Sequence, residues 1–352
     1  MILSHLESIW LLIIFFASSI AIWVAGVRIS LALNNMNKYF NFGEAIGGMI
    51  FLAIVTNLPE IAITVMAAHN QHIEIAVSNI LGGIAIQTVV LVLIDCFGVG
   101  KLAPLSSKAS SIGVILEGIV LIFILTLVII GRQISTDFVI LNATPVEWII
   151  LLVWLLGIFL IYKNPTLKNR KSKRFVSVNI TEVEVLSRDK QIPVSKQKAY
   201  KAILVFIFCA IIILLSGLLL EISSVEIANR FQISSVIFGA TILAAVTSLP
   251  EISTGIASAK LKDYQMAVSD IIGGNAFLPV LLLLGSIISG ASAMNSIGSI
   301  NLYFTCLAIL LTGIYMIGMI IKSKHQFLRL GYDSIAILLL YIVGVLGLLF
   351  VK

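Results

Sequence analysis

The chain has 352 residues, of which 59% are hydrophobic and 11% charged, and its mean hydropathy is +1.11. Soluble domains carry about 25% charged residues, so the composition excludes an ordinary soluble enzyme or binding module and places most of the chain in a bilayer. The net charge of +6 would suit a nucleic-acid partner, but the basic residues cluster in the connections between apolar runs, where they set topology instead. No nucleic-acid partner is expected.

About 20 apolar residues of helix cross a hydrocarbon core of about 30 Å. In chain order, such runs stand at 9–34, 44–68, 75–98, 109–131, 145–162, 201–220, 232–259, 264–290, 301–321 and 331–351. The fold class is therefore all-α integral membrane, with ten expected spans. The first run is kept as a helix, because His5 and Glu7 precede it where a signal peptide would place basic residues. The turn after the second run carries His69, His72 and Glu74, an HxxHxE pattern; a solvated turn is preferred to a metal site, since no further His or Cys completes a shell there. Asp95 ends the third run and is expected at the interface, whereas Glu117 lies within the fourth and is a candidate to face a pathway. Cys96, Cys209 and Cys306 are far apart and show no metal spacing.

Of the 23 Lys and Arg, 20 fall on one side of the ten-span arrangement: Arg28, Lys38, Lys101, Lys108, eleven between Lys163 and Lys201, Lys260, Lys262, Lys322, Lys324 and Arg329. Arg132, Arg230 and Lys352 fall on the other. This bias puts the 163–200 loop in the cytoplasm and both termini outside a cell membrane. Attraction to anionic lipid is a secondary role for the same charge.

The basic loop divides the spans into halves, 1–162 and 201–352, and the halves repeat each other at an offset of 191. LAIVTNLPEI (52–61) aligns with LAAVTSLPEI (243–252), and AVSNILGGIA (76–85) with AVSDIIGGNA (267–276). The copied regions run over 52–87 and 243–279. Halves of five spans each have opposite orientations, which is the inverted repeat of a secondary transporter with its site near the midplane. Pro59 and Pro250 are expected to kink their helices and release the carbonyls of Val55 and Val246. Thr56 with Glu60, and Thr247 with Glu251, stand four residues apart, so their oxygens share one helical face. A carboxylate in lipid costs roughly 2.5–3.5 kcal/mol on insertion scales; two copies with the same Thr, Pro and Glu argue for a cation site over a packing accident. Asn79, Gln87, Asp270 and Asn275 extend the oxygen set, and the Gly pairs at 82–83 and 273–274 are read as close-packing positions.

The paired TNLPE/AVSNILGGIA and TSLPE/AVSDIIGGNA blocks resemble the two repeats of the calcium/cation antiporter superfamily. The resemblance covers the whole chain in architecture. It implies exchange of Ca²⁺ or a related divalent cation against H⁺, Na⁺ or K⁺, with Glu60 and Glu251 as central ligands and Thr56, Thr247, Asn57 and Ser248 as supporting oxygens. No permanently bound cofactor is implied; the partners are inorganic cations and the bilayer, and the oligomeric state is open. The chain departs from the family where a serine ligand is replaced by Gly83 and Gly274, and where Gln87 is matched by Leu278. Several oxygens of the sodium-coupled branch are thus missing, and Asn57 matches the wording of the proton-coupled branch. A cation channel and a degenerate, non-transporting member share these features. Saturable flux requiring a counter-ion separates an antiporter from a channel; cation-dependent stabilisation separates it from a degenerate member. An intramembrane enzyme would need a nucleophile and base or a metal motif that the spans lack.

Overall fold

The computed structural model describes residues 5–40, 56–100, 103–134, 138–163, 196–323, 325–327 and 329–351. In lipid the backbone must pair with itself, which leaves the helix as the spanning form, and nearly every described residue obeys. The first half contributes α1 (Ser8–Phe40), α2 (Leu58–His69), α3 (Ile73–Ile94), the short α4 (Leu105–Ala109), α5 (Ile112–Gln133) and α6 (Pro145–Lys163). The second half contributes α7 (Lys196–Arg230), α8 (Ser235–Phe238), α9 (Ala244–Thr247), α10 (Leu249–Lys260), α11 (Tyr264–Phe277), α12 (Val280–Ser289), α13 (Ser299–Ile321) and α14 (Tyr332–Gly347). A two-stranded antiparallel hairpin, β1 (Gln326–Phe327) with β2 (Leu330–Gly331), joins α13 to α14. The all-helical expectation did not include it.

Among the described residues six helices are long and apolar enough to cross a membrane, and the bent pair Ser235–Thr247 with Leu249–Lys260 makes a seventh. The apolar helices Leu58–His69, Pro145–Ile161 and Tyr332–Gly347 are shorter. Helix ends follow side-chain chemistry: Ser111 Oγ accepts from Val114 N at 3.3 Å to open α5, and Asp263 Oδ1 accepts from Met266 N at 3.2 Å to open α11. Gly290 ends α12 at a φ of +78°, where glycine carries no steric penalty.

Both prolines interrupt the helical chain, and at Pro250 the expected kink is present. Pro59 and Pro250 each sit in the first turn of a new helix, where the missing N–H is not needed. The α9–α10 pair is bent by 41° at this break. Pro250 offers no N–H to the Val246 carbonyl; the Val55 carbonyl, like most of the expected 44–68 run, lies outside the described residues. The expected 264–290 run is one membrane-length span, Tyr264–Ser289, interrupted where Pro279 opens α12, whereas the equivalent Thr88 lets α3 run on to Ile94, donating to Ile84 O at 2.9 Å.

The main core is built from α3, α5, α6 and α10 to α14, around Leu81, Ile84, Leu91, Leu121, Phe304 and Leu311. It contains no residue of α1 or α7. These two pack along each other and meet the remainder through two smaller clusters, one around Phe15, Ile63, Leu220 and Phe238, the other around Ile29, Ala62 and Ile213. Their outer faces expose Trp10, Phe16, Leu204 and Phe208, as a lipid-facing surface does.

Candidate cation site at two helix breaks

The two copied segments adopt one local structure. Asn57 precedes α2 with φ −90°, ψ 17°, and Ser248 precedes α10 with φ −82°, ψ 0°. Neither caps its helix with a side-chain bond, and the Glu60 and Glu251 carboxylates instead lie close to their own backbone N–H groups in the first turn. Glu60 and Glu251 occupy those first turns, where the helix dipole favours an anion.

Both carboxylates are buried, at 1% and 2% exposure. Gln87 donates Nε2 to Glu60 Oε1 at 3.4 Å, and the Thr247 side chain meets the same carboxylate. Asp270, half-buried on α11, accepts from Thr254 Oγ1 at 3.3 Å and also meets the Thr56 side chain. Glu251 stands within electrostatic reach of both Glu60 and Asp270. Each break thus supplies a threonine to a carboxylate of the other half. Asn275 reaches across as well, from Nδ2 to Ile84 O at 3.5 Å.

This polar set is undersupplied with donors. Glu60 Oε2, both oxygens of Glu251, Asp270 Oδ1, Asn275 Oδ1 and both amide atoms of Asn79 are buried without a hydrogen-bond partner among the described residues. Among the described residues the ion pairs are His72–Glu221 and Arg230–Glu226, so no Lys, Arg or His neutralises Glu60, Glu251 or Asp270. Buried charge without a partner costs several kcal/mol. Hard cations, Ca²⁺ above all, satisfy such oxygens from carboxylates, amides and hydroxyls together. No three acidic, histidine or cysteine side chains among the described residues form a compact cluster, so any cation held here draws on that mixed set.

A match to the family model of the sodium/calcium exchanger protein runs over residues 10–163 and 201–350. The chain belongs to this family. Inner membrane protein YrbG of Escherichia coli is 25% identical over 258 residues, 73% of each chain. Among solved structures, the sodium-calcium exchanger NCX_Mj shares the fold at a TM-score of 0.60 and 18% identity, with 97% of this chain and 99% of that one covered. The H⁺/Ca²⁺ exchanger CAX shares it at 0.59 and 16%, with 97% and 87% covered. Family members are multi-pass secondary transporters of the membrane and not enzymes, so the orphaned oxygens of this exchanger-family chain lie in a fold that carries cations.

The exchanger half-repeats are not chemically equal. Ser78 returns its hydroxyl to its own helix, at Glu74 O (2.6 Å), whereas the equivalent Ser269 donates to Glu117 Oε1 on α5 at 2.8 Å. Glu117 is therefore packed onto the residue next to Asp270. Gly273 is not required by this contact, since a β-carbon there would lie an ordinary 3.9 Å from Glu117 Oε2. At Gly274, a β-carbon would lie 3.0 Å from Asn57 Nδ2, so the Asn57 amide occupies the space that a serine in this position would enter. At Gly83 the neighbour is the apolar Ala244 β-carbon, and Leu278 is buried in the main core. A side chain at Gly82 would collide with the Ala240 backbone, as the close-packing reading expects.

Other acids belong to different structures. Asp95, expected at the interface, stands at the end of α3 but is buried within the protein. A π turn, Asp95–Val99, carries it inward to full burial, where it accepts from Leu105 N (2.7 Å), Gly331 N (2.9 Å) and Ser334 Oγ (2.7 Å). It clasps α4 and the β-hairpin to the end of α3. Asp95→Ala strands three donors, each costing about 1–3 kcal/mol, so a destabilisation of at least about 3 kcal/mol is expected in thermal unfolding; an unchanged Tm would show that the clasp bears no stability. His69 and Glu74 are exposed, but His72 is not a simple solvated turn residue, since it pairs with Glu221 of α7. Glu147 and Glu221 escaped the sequence reading. Glu147 had a legible signal, the capping box of Thr144 and Glu147: Glu147 Oε2 accepts from Thr144 N at 2.5 Å, and Ser286 and Ser292 complete its partners. Ser269 stands in the copied AVSDIIGGNA block beside Asp270, but nothing in its spacing pointed to Glu117, and Thr254 carries no motif that would have marked it.

Proposed function

We propose that the chain is a secondary active antiporter that exchanges Ca²⁺, or a related divalent cation, by alternating access. The observation that carries this reading is the set of buried carboxylate oxygens on Glu60, Glu251 and Asp270 without a protein cation, at two matching helix breaks. The cation is cargo: Glu60 and Glu251 are its central ligands, with Thr56, Thr247, Asn57, Ser248, Asn79, Asp270 and Gln87 as the surrounding oxygens. Ten spans in two inverted five-helix halves, with both termini outside and 163–200 cytoplasmic, agree with the basic-residue bias. Matching element starts, α2 at 58 with α10 at 249 and α3 at 73 with α11 at 264, keep the 191-residue offset. The Asn275–Ile84 contact supports the same reading, because each is the other's equivalent, as residues on a pseudo-two-fold axis are.

Protons are the counter-ion this chain favours. Gly83 and Leu278 offer no side-chain oxygen for extra monovalent ions, while protons need only the carboxylates already present. The alternatives are a continuous cation channel and a non-transporting member. The refilling of the Gly274 position by Asn57 speaks against degeneration of the site.

The test is ⁴⁵Ca²⁺ uptake into proteoliposomes under separately imposed Na⁺, K⁺ and H⁺ gradients, with Gln71→Cys and Ser177→Cys labelled from each side. Uptake driven by a proton gradient, with the two cysteines labelled from opposite faces, is expected. Gradient-independent flux would make the chain a channel, no flux would make it a degenerate member, and labelling of both cysteines from one side would end the inverted arrangement.

A further inference from the structure

The turn between α2 and α3 meets α7 through one ion pair. His72 Nδ1 lies 2.5 Å from Glu221 Oε1, and Asn70 donates Nδ2 to Glu221 Oε2 at 2.7 Å. The two partners differ in access: Glu221 is fully buried, while 43% of the His72 side chain is exposed. The imidazole can take up and release a proton from water, and the carboxylate cannot change its partner. Among the described residues His72 is the one cationic group within ion-pair distance of Glu221. The surrounding ionisable groups do not replace it. Glu226 and Arg230 on α7 bond each other at 2.9 Å, His69, Glu74, His5 and Glu7 are exposed, Arg28 lies two-thirds of the way along α1 from the end that meets Arg230, and α8 and α12 carry no ionisable residue.

The pair also bridges two bodies. The main core contains no residue of α1 or α7, whereas α3 lies at its centre. The bond from His72, at the head of α3, to Glu221 therefore adds an ionic tie to the apolar clusters and the Trp23–Ser253 bond through which the α1–α7 layer meets the rest of the protein. At the 191-residue offset His72 corresponds to Asp263 and Glu221 to Ser30, so the residues for an imidazole–carboxylate pair exist at one end of the molecule only. Asp263 instead accepts from Met266 N at the head of α11.

The geometry points to His72–Glu221 as a proton-operated latch between the α2–α3 turn and α7. With His72 protonated, the pair holds the α1–α7 layer against the core. Loss of the proton removes the countercharge of a buried carboxylate and releases the layer. Alternating access moves such layers past one another, so exchange should speed up as pH rises on the His72 face. The effect on flux rests on the antiporter reading; the pair itself does not.

The full chain in proteoliposomes provides the test, with cation gradients fixed and pH varied on the His72 face alone. Exchange should rise with pH through both the site carboxylates and the latch, and His72 should contribute one proton and a several-fold share of that rise between about pH 5 and 8, the range in which histidine changes charge. His72→Gln keeps an amide donor without a charge, and should make that rise less steep by one proton, leaving the part due to the site carboxylates; Glu221→Gln should do the same, and His69→Gln should leave it unchanged. A wild-type pH profile in His72→Gln would overturn the latch. A second readout needs no transport. The imidazole NMR signals of the four histidines, recorded in nanodiscs, should show the His72 titration moved by Glu221→Gln and the other three unmoved, and amide exchange around Glu221 should lose protection with pH in wild type but not in His72→Gln. An unmoved His72 titration would overturn the pair outright. Both NMR effects without any cation flux would sustain the latch and remove the antiporter reading instead.

Discussion

Replacing Glu251 by glutamine should reduce Ca²⁺ flux by about two to three orders of magnitude while leaving the protein folded and inserted. Both oxygens of Glu251 are buried without a partner, and the residue faces the charges of Glu60 and Asp270. In the proposed exchange cycle the cation is their countercharge, with no Lys, Arg or His paired to them among the described residues; removing one member of a buried ion pair costs about 3–5 kcal/mol, where each 1.4 kcal/mol is a factor of ten. Glutamine keeps the shape and one carbonyl oxygen but contributes no charge. The same substitution should raise the Tm measured without Ca²⁺, because it relieves repulsion among three buried acids, and should weaken the Tm increase that Ca²⁺ gives the wild type. Glu60→Gln should act in the same direction, with a smaller gain in stability, since Gln87 and Thr247 already meet its carboxylate. Wild-type flux in either variant, measured as initial ⁴⁵Ca²⁺ uptake, would take that residue out of the site.

Asp270→Asn should change how flux depends on pH more than it changes maximal rate. Protons and Ca²⁺ compete for the same carboxylate oxygens, so at zero sodium wild-type flux should fall as the medium is acidified. Asp270 sits at the edge of the set, half-buried and held by Thr254 and Thr56, and is the acid for which the first half has only Asn79. Its removal takes away one proton-binding group and keeps the central pair. The acid limb should become less steep by about one proton, with maximal rate changed by less than about tenfold, a difference of 1.4 kcal/mol. Initial flux against pH in sodium-free buffer checks this. Flux that is absent without sodium, and appears in proportion to an imposed sodium gradient, would replace the proton with sodium as counter-ion. Backbone carbonyls such as that of Val246 would then have to supply the missing oxygens.

The sequence by itself determined that the protein lives in a bilayer, that its halves copy one another, and that Thr56, Glu60, Thr247 and Glu251 are its chemically exceptional residues. The physical reason is local: apolar run length, the period of a helix and the cost of a carboxylate in lipid are all properties of short stretches. Tertiary structure decided which helices meet, because those contacts join residues far apart in the chain. Gln87 on Glu60, Asn57 against Gly274, Asn275 on Ile84 and Ser269 on Glu117 could not be read from any spacing. The same holds for Asp95, whose place at the end of an apolar run did not disclose that a π turn aims it at donors more than 200 residues away on Gly331 and Ser334. Pro59 and Pro250 announced an interruption, but only packing around Asn57 and Ser248 turned it into two helix starts that bring opposed carboxylates together.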